Sequence, residues 1–213
     1  MRQLKRYLCK SISENIKIDG DLSKLQWKDI EGIGLVETLT GKNPRLETEV
    51  KACWNKDFLY FSFKCSDDFI KATMTEYNDK LYEEDVVEIF IDDNKDLKTY
   101  VEIEVNPLNA ALHYLVHNTL KKEKFLYAKV EKSIVSATNF DNVLGIWNTE
   151  ISIPMKEFLT AKNNPPLPGD KWYVNFYRID RPENNEDEYS AWSPTGEINF
   201  HMPEKFGELI FID

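Results

Sequence analysis

Several features that would assign a function directly are rare in this chain or missing from it. Of its 213 residues, only three are cysteines and three are histidines, and their spacing matches no zinc site. The sequence has no phosphate-binding glycine loop, no GxSxG elbow and no dinucleotide-binding GxGxxG pattern. It also has no run of about eighteen apolar residues, so no transmembrane helix is expected. These absences exclude a membrane-spanning helical protein and the enzyme classes that a short motif reveals.

Positive charge is also in short supply. The chain has 27 lysines and arginines against 37 acidic residues, which gives a formal net charge of −10 and a pI of about 4.9. Nucleic acids and anionic membranes attract basic surfaces, so we expect neither as the main partner. The basic N-terminus lacks the apolar segment of a secretion signal. As given, the chain is expected to be cytoplasmic, or extracellular or periplasmic if a signal was removed.

The composition is that of a folded protein. Hydrophobic residues make up 42% of the chain and aromatic residues 13%, which suits one domain with a sizeable core. We expect a single domain over residues 1–213, in which residues 1–15 are a polar lead-in with room for one edge strand. Cys53 and Cys65 fall in the two arms of a predicted hairpin, where the strand register separates them. We therefore expect buried free thiols and not a disulfide.

Hydrophobic alternation with a period of two is the main structural signal. It recurs in eight to ten short segments separated by turns, and no strand–helix repeat appears. This pattern predicts an all-β fold, an antiparallel two-sheet β-sandwich with less than about a sixth of its residues in helix. The predicted strands include residues 46–54, 58–65, 110–118, 128–136, 145–153, 172–179 and 207–212, together with a central pair within residues 82–107.

The central pair carries an unusual group of charges. In residues 86–92 and 99–105, aliphatic side chains alternate with polar ones, so Glu88, Glu102 and Glu104 share the face opposite the aliphatic set. Crowded carboxylates repel one another unless a cation, a hydrogen-bond donor or a polar ligand neutralises them. Two interpretations stay open from this pattern: a solvated outer face with surface ion pairs, or a polar binding face.

Other residues are compatible with several roles. His113 and His117 share one strand face but are well separated along it, which makes a weak case for a metal site. The acidic residues include pairs that could serve a glycosidase, as in any acidic β-protein. Tyr82 and Trp192 lie at predicted strand ends, where an aromatic ring is either a lid over the core or a platform on which a sugar stacks. The other four tryptophans, Trp27, Trp54, Trp147 and Trp172, follow apolar patterns and are expected in the core.

Seven segments in order resemble a known family. They are IDGDLSKLQW, FLYFSFKCSDD, YEEDVVEIFID, YVEIEVNP, WNTEISIPMKEF, GDKWYVNFYRID and YSAWSPTGEINFHMPEKFGELIF, between Ile18 and Phe211. This succession is similar to the family 9 carbohydrate-binding modules and their single-domain relatives, whose sandwich is related to the DOMON group. The resemblance implies non-catalytic carbohydrate binding, in which a sugar or an oligosaccharide end is held between two aromatic rings.

The resemblance also suggests particular site residues. Tyr82 occupies the position of the first aromatic ring, where the family more often has tryptophan, and Trp192 in WSPT matches the second. Glu88 matches the family's glutamate. The next strand has no counterpart of the family's arginine, so Arg178 is expected to supply the positive charge and to lie close to Glu88, with Asn175 as a further hydrogen-bonding residue. Alternation places Arg178 on the same strand face as Val174 and Phe176, so a structural ion pair inside the sandwich stays open as the alternative.

Other functions follow from the same resemblance. No cofactor is required, but some family members bind structural calcium, for which this chain offers Asp67, Asp68, Asp92, Asp93 and Asp96 as oxygen donors. The resemblance also implies that carbohydrate binding by this chain serves carbohydrate catabolism. One alternative function is a glycoside hydrolase, or an accessory part of one. A second alternative is a heme-binding or redox domain, as in other DOMON-like proteins, for which His201 and Met202 would be the axial ligands.

Overall fold

The computed structural model describes residues 4–121 and 124–213. Within these ranges it contains fourteen β-strands, one short α-helix and three single-turn 3-10 helices. The strands are β1 Arg6–Ser11, β2 Ile33–Gly34, β3 Val36–Glu37, β4 Thr48–Trp54, β5 Phe58–Ser66, β6 Val86–Asp92, β7 Thr99–Val105, β8 Ala111–Lys121, β9 Lys124–Lys129, β10 Val135–Asp141, β11 Ile146–Pro154, β12 Lys171–Asp180, β13 Glu188–Ala191 and β14 Gly207–Ile212. The helix α1 is Leu25–Lys28, and the 3-10 turns are Leu81–Glu83, Met155–Glu157 and Pro203–Lys205.

The strands form one curled, continuous sheet. Its order is β10-β11-β5-β4-β1-β14-β12-β6-β7-β8-β9, with β2 beside β4, and with β13 between β12 and β3. We call β10, β11, β5 and β4 the first sheet half, and β14, β12, β6, β7, β8 and β9 the second. Strand β1 links the halves, because it pairs in parallel with β14 along most of its length and with β4 at its end.

The two halves pack face to face around an apolar core. Phe61 and Phe63 on β5 contact Phe176 on β12, with ring centroids 5.6 Å and 6.3 Å apart. Such edge-to-face contacts between aromatic rings stabilise the core by more than the burial of their apolar area alone. The four tryptophans expected in the core are buried, with exposed fractions of 7% or less.

The all-β prediction is confirmed, and the helical content of the described residues is as low as expected. The prediction of two separate, purely antiparallel sheets differs from the structure in two respects. The sheet halves are joined by hydrogen bonds through β1, and the pairings of β1 are parallel, so the sheet is mixed. Residues 1–15 were expected to hold a strand only at the edge of a sheet. Strand β1 instead occupies a central position between β4 and β14.

Most predicted strands lie within one or two residues of observed ones, but residues 128–136 are not a single strand. Strand β9 ends at Lys129 and β10 begins at Val135. These two strands lie at opposite edges of the sheet, so the chain crosses the molecule between them. In the charged run 121–124, Lys122 and Glu123 lie outside the described residues. Within the described ranges, no helix has the length and apolarity needed to cross a membrane.

The cysteine prediction is confirmed. Cys9, Cys53 and Cys65 are buried free thiols. In the β4–β5 hairpin, Cys53 lies opposite Tyr60 and Cys65 lies opposite Thr48. The register therefore holds the two hairpin cysteines far apart, as the sequence indicated.

A buried carboxylate fastens the loop that follows β1. Glu150 on β11 is fully buried and accepts hydrogen bonds from the backbone N–H groups of Asp19 and Gly20, at 2.9 and 2.8 Å, and from the Trp27 indole at 2.7 Å. The ammonium group of Lys24 lies 2.7 Å from the same carboxylate. One side chain thus fixes both ends of the segment 19–27 against the first sheet half.

Replacing Glu150 with alanine should lower the free energy of unfolding by about 2–4 kcal/mol. The change leaves a buried indole N–H and two backbone N–H groups without their acceptor, and it removes one of the carboxylates that neutralise Lys24. Urea denaturation followed by tryptophan fluorescence measures the effect. The matched change Glu49→Ala, at an exposed position on β4, should cost about 0.5 kcal/mol or less. Equal effects of the two changes would contradict the anchoring role.

Candidate functional site

The outer face of the second sheet half carries a cleft of about 390 Å³. Strands β6 and β7 supply its floor, with Glu88, Phe90, Glu102 and Glu104. Its walls come from the 3-10 turn before β6, from the β8–β9 hairpin, and from β13 and the segment that follows it. The wall residues include Tyr82, Tyr114, Tyr127, Arg181, Tyr189, Phe200 and His201.

The register of β6 with β7 explains the acidic floor. Glu88 lies opposite Glu104, and Phe90 lies opposite Glu102. Because neighbouring residues of a strand point to opposite faces, the intervening aliphatic side chains enter the core and the three glutamates turn to the cleft. The predicted crowding of Glu88, Glu102 and Glu104 on one face is therefore confirmed. The face is not a solvated one, since these residues are only 2%, 5% and 0% exposed.

Burial makes the floor electrostatically unusual. One carboxylate oxygen of each glutamate lies within 4.8 Å of the others. Removal from water, followed by repulsion from its neighbours, raises the pKa of Glu88 and of Glu104 well above the usual range. Burial raises the pKa of Glu102 to about 7. Among the described residues, Glu88 Oε1 and both oxygens of Glu104 have no hydrogen-bond partner of good geometry.

Arg181 lines the cleft beside this floor, and sequence reasoning missed it. Its charge opposes the rise in the pKa of Glu88. Its guanidinium donates to the Tyr82 carbonyl at 2.7 Å and to the carboxylate of Asp187. The alternation of β12 was the available signal, because Arg181 continues the series Tyr177, Ile179 that faces the cleft.

Aromatic rings line the walls around the carboxylates. Tyr114 on β8 and Tyr127 on β9 are stacked, with centroids 4.5 Å apart and planes 12° from parallel. Tyr82 is 37% exposed and Tyr127 is 54% exposed, so both present ring surface to a ligand. Burial and the nearby phenols and carboxylates raise the pKa of Tyr114 to about 12. The sequence placed Tyr82 at the site but gave no reason to choose the hairpin tyrosines.

Trp192 does not lie where the resemblance suggested. It is 4% exposed and packs in the main core, where its ring lies 5.7 Å from that of Phe176. Gly207 lies directly beneath the indole, and a methyl group at that position would overlap it. The expected open slot between Tyr82 and Trp192 is therefore not formed, because the absence of a side chain at residue 207 lets the ring turn inward.

Arg178 also lies away from the cleft. It is 1% exposed and points to the core side of β12, where it pairs with Asp67 and Asp180, each at 2.9 Å. It also donates to the Ser66 carbonyl at 2.6 Å. The expected contact between Glu88 and Arg178 is not formed, because residue 178 lies on the face of β12 opposite to the one that meets the cleft.

Asn175, the fifth predicted site residue, serves the backbone. Its amide donates to the Ser193 carbonyl and accepts from the Ser193 N–H, both at 2.8 Å. Asn175 is fully buried and does not line the cleft. Of the five predicted site residues, the structure therefore brings only Tyr82 and Glu88 together.

The residues expected to bind calcium are dispersed over separate hydrogen-bonding roles. Asp67 belongs to the Arg178 ion pair, Asp92 accepts from the Leu97 N–H at 2.9 Å, and Asp96 accepts from the N–H groups of two following residues. Asp68 pairs with Arg45 and Asp93 accepts from Thr160. Calcium binding stays a prediction.

His201 lines the cleft, with its Nδ1 2.7 Å from the Tyr100 hydroxyl, whereas Met202 is not part of the cleft lining.

The fold and the cleft define a class of protein: an all-β module with an aromatic-walled cleft over an acidic floor. The chain belongs to the carbohydrate family 9 binding domain-like family, whose sequence model matches residues 18–213. A search of curated proteins gives no significant match.

Several solved structures share the fold. One is a putative carbohydrate-binding protein from Bacteroides uniformis, with a TM-score of 0.80 and 21% identity, covering 98% of this chain and 100% of that one. A family 9 carbohydrate-binding module from Caldicellulosiruptor kristjanssonii in complex with cellotriose has a TM-score of 0.70 and 17% identity, covering 98% of this chain and 94% of the other. The same kind of module in complex with glucose gives 0.71 and 19%, covering 97% and 95%.

Replacing Trp192 with alanine should destabilise the fold. Truncation of a buried tryptophan leaves a large cavity and costs about 3–5 kcal/mol. Thermal or urea unfolding measures the loss, and Phe140→Ala at a 37% exposed ring is the matched control with a small effect. A Trp192→Ala protein as stable as the parent would contradict the core position of this ring.

The acidic floor should make stability depend on pH. Glu102 binds its proton more tightly in the folded state, so its stabilising contribution is full below pH 4.5, the ordinary pKa. It is lost as the pH rises through about 7, the folded-state pKa. The change Glu102→Gln removes the ionisable group. The variant should match the parent at pH 5 and be more stable by about 1–3 kcal/mol at pH 8.

Chemical denaturation at the two pH values tests this expectation. Glu14→Gln, at an exposed position, is the control for loss of one negative charge. If Glu102→Gln is no more stable than the parent at pH 8, ionisation of Glu102 does not destabilise the folded protein.

Proposed function

We propose that this protein is a non-catalytic carbohydrate-binding domain, and that a single sugar or an oligosaccharide end occupies the cleft. One observation carries the proposal: exposed tyrosine rings stand around a buried floor of hydrogen-bonding carboxylates, in a cleft of about 390 Å³. Ligand pockets of this kind combine apolar walls with a few fixed polar groups.

The chemistry of a sugar suits both parts of the cleft. A pyranose ring has C–H faces that stack on aromatic rings, here those of Tyr82 and Tyr127. Its hydroxyl groups are donors and acceptors, and Glu88, Glu102 and Glu104 offer acceptors, or donors when protonated. Rings around the sugar exclude water, which strengthens the hydrogen bonds to the floor.

The family supports this assignment, with changes to the site residues. Tyr82 and Glu88 keep the roles that the resemblance suggested. In our proposal the hairpin tyrosines take the place of Trp192, and Arg181 takes the place of Arg178. The Caldicellulosiruptor kristjanssonii modules are complexes with glucose and cellotriose, which makes these two sugars the first ligands to test. A role in carbohydrate catabolism is part of the proposal.

Glycoside hydrolysis is less well supported. It needs a carboxylic acid and a carboxylate on the two sides of a glycosidic bond. Glu88, Glu102 and Glu104 instead lie side by side on one floor. A heme or redox role is also less well supported, because His201 uses Nδ1 on Tyr100 and Met202 does not reach the cleft lining.

Replacing Tyr82 with alanine should weaken sugar binding by about tenfold or more. The change removes one stacking face, worth on the order of 1 kcal/mol beyond the area it buries, together with that area. A glycan array identifies ligands, and calorimetry with glucose and cellotriose measures the dissociation constants of the parent and the variant.

The control is Phe140→Ala, which removes a ring of equal exposure (37% for both residues) outside the cleft. It should leave affinity unchanged. Unchanged affinity in Tyr82→Ala would show that the sugar binds elsewhere. No binding by the parent on an array that includes neutral, acidic and amino sugars would overturn the proposed function.

A further inference from the structure

The described residues form two buried acidic clusters whose surroundings differ. In the first, Asp67 and Asp180 flank Arg178, whose guanidinium neutralises both at 2.9 Å. The second is the cleft floor of Glu88, Glu102 and Glu104. Among the described residues, no ammonium or guanidinium group lies within ion-pairing distance of this floor.

Arg181 does not fill that gap. Its guanidinium bonds Asp187 and the Tyr82 carbonyl, so its charge is already matched by one carboxylate. The three glutamates carry up to three charges, and Glu88 Oε1 and both Glu104 oxygens are buried without a good donor in the described part of the chain. A buried carboxylate is stable only if it is protonated, paired or bound to a cation.

We propose that the cleft prefers a sugar that carries a free ammonium group, an amino sugar such as glucosamine, whose nitrogen sits on Glu88, Glu102 and Glu104. This inference rests on the proposed function and specifies its ligand. The ring of the sugar stacks on the tyrosine walls while its cationic substituent meets the floor.

An ammonium group suits this floor better than the other candidates do. It has three N–H donors, as in lysine, for three carboxylates whose oxygens converge within 4.8 Å. Tyr82, Tyr114 and Tyr127 add aromatic surface, which attracts cations. Calcium and magnesium prefer six or more oxygen ligands, including water, and tyrosine rings provide no such shell. A neutral sugar displaces no protons from the floor.

Proton release gives the proposal a distinctive signature. Because burial raises the pKa of Glu102 to about 7 and raises those of Glu88 and Glu104 well above their usual range, the empty floor retains protons at neutral pH. An arriving ammonium group displaces them, whereas glucose does not. The other titratable groups facing the floor are Arg181, His201 and the wall tyrosines. His201, with its pKa lowered to about 4 by burial, is neutral at pH 7 and has no proton to release.

The experiment is calorimetry on the full chain at pH 7 with glucosamine, glucose and N-acetylglucosamine, in two buffers of different ionisation enthalpy. Glucosamine should bind about tenfold or more tightly than glucose, as charge-assisted hydrogen bonds require. Its binding should release protons, which shows as a buffer-dependent heat. N-acetylglucosamine, which lacks the charge, should show neither the gain in affinity nor the release.

Glu104→Gln should abolish the preference for glucosamine over glucose, while the control Glu14→Gln should leave that preference unchanged. If Glu104→Gln does not fold, Glu88→Gln is the second variant, and the three-sugar comparison needs no variant. The inference is overturned if glucose binds as tightly as glucosamine, which leaves the proposed function standing. It is also overturned if calcium chloride alone binds to the parent but not to the glutamine variant, since the floor is then a metal site. Failure to bind any sugar overturns the proposed function itself.

Discussion

The pairing of β6 with β7 is the constraint on which both the core and the cleft depend. Glu88 faces Glu104 and Ile89 faces Ile103 in the same register. A slip of one residue would move the aliphatic side chains outward and drive the glutamates into the core. Burial of the aliphatic set therefore fixes the position of the carboxylates. The glutamates face the cleft because the alternating aliphatic side chains of the same two strands enter the core.

The two acidic clusters show how differently a fold can treat buried charge. Around Arg178, a cation from the chain itself is surrounded by acceptors from both sheet halves: Thr48 on β4, the Ser66 carbonyl on β5, and Asp180 on β12. That arrangement ties the halves together and is closed to ligands. In the described part of the chain no such cation meets the cleft floor, which stays open between its aromatic walls. The first cluster fits a structural role, and the second has the unsatisfied polar groups that a ligand can satisfy.

Sequence periodicity predicted the strands and the acidic face because these depend on contacts between near neighbours. The β6–β7 hairpin, the free thiols and the four core tryptophans follow from local alternation. The position of Trp192 does not, because it depends on Gly207 and on Phe176, which come together only in the folded sheet. Arg178 and Arg181 are three residues apart on one strand and its extension, so they face opposite sides. Resemblance to a family selected Arg178, whereas the alternation of β12 and its extension places Arg181 on the cleft face.

Trp192 nevertheless contributes to the cleft from inside the core. Its backbone N–H donates to the Phe176 carbonyl at 2.8 Å. The side-chain amide of Asn175 donates to the carbonyl of the next residue, Ser193, and accepts from its N–H. The chain that continues from this point carries Phe200, which stacks on Tyr177 at 4.1 Å, and His201. Both line the cleft. The indole and Asn175 thus hold the start of the wall segment, and the stacking of Phe200 holds its far end. A buried ring beneath a rigid wall reduces the conformational entropy that a ligand would have to remove. Trp192 and Asn175, which the resemblance assigned to ligand contact, thus act as supports of the cleft wall.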